Sequence, residues 1–135
     1  MNVKFLDHQD RGNPLNEVTF GESGAIIAAL ESLQFRPAFL CELFGNNEQN
    51  LLLGIGGQIG CCQYSSNDGN PPYLMAVDDL QAERGDFTEF LTADTPTPIA
   101  QRYCISFGNL LKIVEYFVLT GERWPGITWE EVTPY

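Results

Sequence analysis

SFGNLLKIVEYFVLTGERWPGITWEEV, residues 106–132, contains a helix, its stop signal and a following strand in one uninterrupted run. Phe107, Leu110, Leu111, Val114, Phe117 and Val118 recur at spacings of three and four, so a helix carries them on one broad stripe toward a core. Asn109, Lys112 and Glu115 fall outside that stripe. Ser106 suits the N-cap, because its hydroxyl can accept a hydrogen bond from an unpaired amide of the first turn. Thr120-Gly121 ends the run where a left-handed residue costs least, and Pro125 cannot continue a helix. The result is about 14 residues, roughly 21 Å long at 1.5 Å per residue. Beyond the turn the period changes to two, with Ile127, Trp129 and Glu131 on one side of a strand and Thr128, Glu130 and Val132 on the other. Trp129 is expected to anchor the core under the helix.

Working outward, one more segment has helical spacing. Ser23 can cap it, Ile26, Ile27, Leu30 and Leu33 form its apolar stripe, and Ala25, Ala28 and Ala29 raise its propensity. Arg36-Pro37 closes it, since a residue before proline avoids the helical region. Short strands are predicted at 2–6, 15–20, 38–44, 51–55, 60–65, 73–77, 87–91 and 100–105, with loops at 45–50, 66–72 and 78–86 and a proline-threonine connector at 92–98. The strands between 38 and 77 look like an antiparallel meander. Two helices among runs of strands predict an α+β fold, a mostly antiparallel sheet with two main helices packed on one face. No repeat or linker divides the 135 residues, so a single domain over 1–135 is expected.

Composition narrows the function classes. The chain is 44% hydrophobic, yet no apolar run approaches the roughly 20 residues that a bilayer span needs. The opening MNVKFLDHQD carries charges and no apolar h-region, so it does not read as a signal peptide, and a cytoplasmic location is expected. Seven Lys and Arg against 18 Asp and Glu give a net charge of −11, which opposes binding to nucleic acid or an anionic membrane. The charge serves either solubility or complementarity to a basic protein partner. Cys41, Cys61, Cys62 and Cys104 form no C-x-x-C pair and read as reduced thiols acting as small core hydrophobes. Cys61 and Cys62 would face opposite sides of a strand, one toward the core and one outward.

The residues that could carry chemistry are few. Gly54-Ile55-Gly56-Gly57-Gln58-Ile59-Gly60 lacks the G-K-[ST] of a phosphate loop, puts Ile59 where the third glycine of G-x-G-x-x-G belongs, and is followed by a strand-like segment; it reads as a bulged hairpin. His8, the only histidine, lies in a polar terminal segment. The carboxylate pairs Asp78-Asp79, Asp86 with Glu89, and Glu130-Glu131 read as solvated, and no EF-hand spacing exists. No catalytic residue, cofactor or metal is therefore expected. Tyr64 and Tyr73 bracket an acidic, proline-rich loop, and a tyrosine rim with carboxylates is a protein-binding composition. The expected interface is one end of the sheet, around Tyr64, Asp68, Tyr73, Asp78 and Glu89. Two alternatives stay open: a small-ligand binding module, marked by an enclosed apolar cavity between helices and sheet, and a small enzyme using carboxylates.

The glycine-bearing strand LLLGIGGQIGCCQY, the short strand PPYLMAV, and a helix running into V-L-T-G-E-R-W-P followed by I-T-W-E-E together resemble the Imm1 family of bacterial immunity proteins. Thr120, Gly121, Glu122, Arg123, Pro125 and Trp129 match that family's turn and tryptophan strand. The likeness covers about residues 51–132 and is strongest over the last 30 or so. It implies an α+β immunity protein without enzymatic activity, which binds a cognate polymorphic toxin, often a deaminase acting on nucleic acid, and occludes its active site.

Overall fold

The computed structural model describes residues 1–78 and 86–133. Its elements are β1 (Val3–Asp7), β2 (Thr19–Phe20), α1 (Ser23–Leu33), β3 (Phe39–Gly45), β4 (Gln49–Gly56), β5 (Ile59–Ser66), β6 (Tyr73–Val77), β7 (Phe87–Thr92), β8 (Thr95–Ala100), a 3-10 turn at Gln101–Tyr103, β9 (Ile105–Ser106), α2 (Phe107–Thr120) and β10 (Thr128–Val132). One sheet takes the order β10-β6-β5-β4-β3-β1-β2, with antiparallel neighbours throughout. β7 joins it through a single parallel pair, Phe39 with Leu91, and brings β8 with it. The fold is α+β, with a mostly antiparallel sheet and both helices on one face.

That helix face is a continuous core. Phe5, Phe39, Leu43, Leu53 and Cys62 rise from alternate positions of neighbouring strands and meet Ile26 and Leu30 of α1 and Leu110, Val114 and Phe117 of α2. The physical cause is the period of two along each strand, which sends every second side chain to the same side. α2 follows its sequence closely. The Ser106 hydroxyl accepts from the Asn109 amide at 3.1 Å, and Gly121 adopts φ 78° as the left-handed C-cap, its amide donating to the Phe117 carbonyl. Ile113 belongs to the buried stripe as well, while Leu111 is only half-buried.

The glycine cluster is explained by close packing. β4 and β5 pair without interruption from Gln49–Ser66 to Gly56–Ile59, so the hairpin is regular around the two-residue turn Gly57-Gln58 and contains no bulge. Gly57 has φ 69°. A Cβ on Gly54 would sit 2.8 Å from the Phe90 ring on one face, and a Cβ on Gly60 would sit 2.9 Å from Leu110 on the other. Flat spots on both faces let the helix and the β7–β8 hairpin approach the same pair of strands.

Several expected elements take other forms. Glu22, and not Ser23, is the N-cap of α1, and no side chain caps it. The second strand is only Thr19–Phe20 rather than 15–20. The proline-threonine connector is itself a strand: Ala93 and Asp94, both with positive φ, turn the chain tightly, and β8 pairs back along β7. Pro96 and Pro98 are two residues apart and so turn their nitrogens to the same side, here the edge of β8 away from β7, which pairs with no strand among the described residues and requires no ladder donor. Instead of a strand at 100–105 there are the 3-10 turn and the two-residue β9. One of Cys61 and Cys62 was expected to face outward, yet both are buried, Cys62 on the helix face and Cys61 under the hairpin that covers the other side of the sheet. Trp129 is half-buried, and its indole N–H donates to the Trp124 carbonyl at 2.9 Å.

Candidate interaction surface

The face opposite the helices can be read as rows across the sheet, because cross-strand partners share a side. One row, Leu40, Gly54, Cys61 and Val77, is apolar and lies under Phe90 of the hairpin. The next runs Leu6, Glu42, Leu52, Gln63, Met75 and Glu130 across six strands. A third begins Lys4, Phe44, Asn50 and Ser65. The hairpin covers the first row and, in the second, buries Met75.

Where β8 ends, a cleft of about 460 Å³ opens between the sheet and the hairpin. Gln63, Tyr73, Met75 and Val132 line it from the sheet, Pro98 and Ile99 from β8, and Phe87 and Tyr103 from either end of the β7–β8 hairpin in sequence. Beside it, Arg102 donates through two nitrogens to Glu130 Oε2, at 2.9 and 2.6 Å, and the Tyr103 hydroxyl donates to Glu130 Oε1 at 2.6 Å. Glu89 stands directly across the strand pair from Pro98 and two residues along from Phe87. It is exposed and neighbours Phe90, which is buried against the sheet, so it projects from the outer face of the hairpin, away from the sheet.

The structure does not gather the five residues expected to form one surface. Tyr73 lines the cleft, Glu89 stands on the outer face of the hairpin, and Tyr64 lies on the helix face. There its ring meets Phe117 edge-on at 6.0 Å and Trp129 at 6.3 Å, and the Arg123 guanidinium sits 5.7 Å from its centre. Burial raises the Tyr64 hydroxyl pKa, with Glu122 adding to the effect and Arg123 opposing it. Tyr64 and Tyr73 therefore cannot share a rim. Asp68 is exposed in the β5–β6 loop, and the Asn70 amide donating to it at 2.9 Å holds its carboxyl below the usual range. Asp78 lies at the opposite end of β6, roughly 17 Å away at 3.4 Å per residue over five residues. Its carboxylate accepts from the Ser106 amide at 2.8 Å and the Asn109 side chain at 2.7 Å, so it secures the start of α2. Asp79 lies outside the described residues.

Two buried or half-buried polar groups join the start of the chain to later segments, and neither grouping was read from the sequence. The Asp7 side chain is fully buried; Arg36 donates to it at 2.7 Å, Asn13 at 3.0 Å, and the amides of Gln9 and Asp10 also point at it. Burial alone would raise its pKa, but these four donors outweigh it and hold the carboxyl below its ordinary value. On the opposite face from the helices, His8 bonds to Glu42 at 2.8 Å, Asn50 donates to the same carboxylate, and the Ser65 hydroxyl donates to Asn50 at 3.1 Å. Only the pairing of distant strands lines these four up, so no sequence spacing marks them.

Burial raises the pKa of all four thiols, that of Cys61 to about 12. Among the described residues no three His, Cys, Asp or Glu are placed to hold a metal ion, and no helix is long and apolar enough to cross a membrane. The T-G-E-R-W-P turn is a packed unit: the Asn47 amide donates to the Gly121 carbonyl at 3.0 Å, and a Cβ on Gly126 would collide with the Trp124 ring. No protein-family model matches the chain, and no curated protein matches it either.

Proposed function

We propose that this chain is an Imm1-like immunity protein, a non-enzymatic inhibitor that binds a cognate polymorphic toxin acting on nucleic acid and occludes its active site. The observation that carries the reading is the charge of −11, matched to the basic groove that a nucleic-acid-directed toxin needs. The turn at Thr120 to Pro125 with Trp129 beyond it supports the same family, and those residues form a folded structural unit. Acidic side chains speed encounter with a basic partner, and apolar and aromatic surface holds it once docked. The cytoplasm is where such an inhibitor would protect its host.

The test is direct. The C-terminal domain encoded by the reading frame next to this gene is produced and mixed with the purified protein. A one-to-one complex that abolishes the domain's activity is expected, with association slowing as salt rises. Absence of a complex at micromolar concentration, or a neighbouring frame with no toxin-like domain, would overturn the proposal. Asp68→Lys and Glu89→Lys probe the charge; Asp78→Lys would disturb the start of α2 as well.

A small-ligand module is the second reading, favoured by a cleft whose volume falls in the range of ligand sites. The expected position for such a cavity, between helices and sheet, is instead filled by buried side chains. Native mass spectrometry of protein purified from its own host would reveal a retained small molecule.

A further inference from the structure

We propose that Cys61 and Cys104 form a peroxide-sensitive thiol pair, whose disulfide fastens the root of the β7–β8 hairpin to the central sheet. The inference stands apart from the inhibitor reading and rests on strand register. β5 and β9 are antiparallel, and their bridges are Ile59–Ser106 and Gly60–Ile105. One residue further along the same register, Cys61 falls opposite Cys104. Cys104 keeps an extended backbone there, φ −89° and ψ 127°, so the strand geometry of β9 continues back to it. Directly opposite residues of an antiparallel pair have Cα atoms about 4.5–5.5 Å apart, within the span that a disulfide bridges. Alternation also turns the two thiols to one side. Ile105 packs in the helix-face core and a Cβ on Gly60 would meet Leu110 there, so Cys61 and Cys104 face the hairpin, where both pack in the cluster that contains Phe90.

The other two thiols are placed too far apart to pair. Cys41 and Cys62 face the helices, but Leu53 of β4 stands between them in register, which separates them by two strand spacings of about 4.8 Å, well over the roughly 7 Å that a disulfide can span. Access orders the steps at Cys61 and Cys104, because Cys104 is half-buried and Cys61 is buried. The Cys104 thiolate attacks hydrogen peroxide, the O–O bond breaks, and a sulfenic acid and hydroxide form. The Cys61 thiolate then attacks that sulfur. The S–S bond forms as the S–O bond breaks, and the oxygen leaves as water with the proton that Cys61 released. Two thiols and one peroxide give one disulfide and two waters, the thiols losing two electrons and the peroxide gaining them. Burial raises both thiols, Cys61 to about 12 with the Cys104 thiol adding to the effect, so little thiolate is present at neutral pH and closure is slow. The Phe39–Leu91 bridge and the Gln9–Asp94 hydrogen bonds hold the tip of the hairpin. The disulfide holds its root, just beyond the 3-10 turn at Gln101–Tyr103.

The test uses the full chain, fully reduced and then held with hydrogen peroxide at pH 8. After the remaining thiols are alkylated, proteolysis and mass spectrometry are expected to find one peptide pair linked through Cys61 and Cys104, two hydrogens lighter than its parts. Cys104→Ala, at a half-buried site, should abolish the link, Cys62→Ala should leave it, and dithiothreitol should reverse it. In hydrogen exchange, oxidation should slow β8 and the 3-10 turn roughly fivefold or more and leave α1 unchanged, and Cys104→Ala should remove that difference. A link through Cys41 or Cys62, a disulfide-bonded dimer, or added oxygen on Cys104 without a link would overturn the inference. So would four intact thiols at the end of the exposure, or a Cys61–Cys104 bond that leaves exchange in the hairpin unchanged. None of these results bears on toxin binding, which is measured on the reduced protein.

Discussion

The two faces of the sheet are built from the same strands but covered differently. On the helix face, α1 and α2 lie over a continuous apolar layer, and Phe5, Phe39, Leu43 and Phe117 are fully buried. On the other face the β7–β8 hairpin covers one row of residues and leaves the next two partly open, with the cleft at the boundary. Cys61 and Cys62 show the difference in one dipeptide. Both are buried, Cys62 by the helices as the alternation of any half-buried sheet requires, and Cys61 by a hairpin that the local pattern does not announce. One face makes the fold stable.

Matched substitutions on the two faces can break this comparison. Phe117→Ala and Phe90→Ala remove fully buried rings of the same size from the helix face and the hairpin face. Phe117→Ala should cost about 3–5 kcal/mol and lower the whole unfolding transition. Phe90→Ala should cost less in denaturant unfolding but raise hydrogen exchange selectively in β7 and β8, since the hairpin meets the main sheet path through a single bridge. Equal global effects would show that the two faces form one cooperative unit.

Asp7→Ala comes next, at about 3 kcal/mol in chemical denaturation, the lower end for a broken buried pair because Arg36 is partly exposed and can rehydrate. Its pH dependence has a definite sign. The folded-state carboxyl titrates below the ordinary value of 3.8, so its contribution is complete well above pH 4 and disappears as pH falls through the lowered folded value. Wild type should therefore lose stability on acidification more steeply than Asp7→Asn when unfolding is followed from pH 6 to pH 2.

Ser106→Ala should cost about 1 kcal/mol, the value of an N-cap, measured as a shift in urea midpoint at constant slope. The smallest effect sharpens the contrast between thiols. In the native protein at pH 8, Cys104, which is only half-buried, should react first with a maleimide, and the other three should wait for unfolding. Early reaction of Cys61 would mean that the hairpin lifts from the sheet.

Much of the fold was legible because it depends on neighbours in sequence. The spacing of Phe107 to Val118, the Ser106 cap and the Gly121 stop each act within a turn or two, and each is realised. The meander from β3 to β6 follows from alternation and turn residues in the same way. Prolines misled at 92–98, since a proline excludes a central strand but not an edge, and nothing local distinguishes the two. The expected interface was the least legible part. Tyr64 and Tyr73 flank one loop and still face opposite sides of the sheet, because the register pairs Tyr64 with Leu74, whose strand neighbour Tyr73 points the other way. Asp68 and Asp78 read as similar exposed acids, yet one shapes a loop and the other holds the first turn of α2.

Residues near one another in the chain specify both helices, the meander from β3 to β6, the apolar faces these elements bury and the acidity of the surface that remains. Periodicity, capping and net charge are properties of residues close together or simply summed. Only the tertiary structure decided which side of the sheet would be half-uncovered, that Gly54 would receive Phe90, that Asp7 would meet Arg36, and that Gln63, Tyr73, Phe87 and Val132 would surround one cleft. Those arrangements join strands that are tens of residues apart in the chain, and their geometry is set by register and packing, which no local pattern encodes.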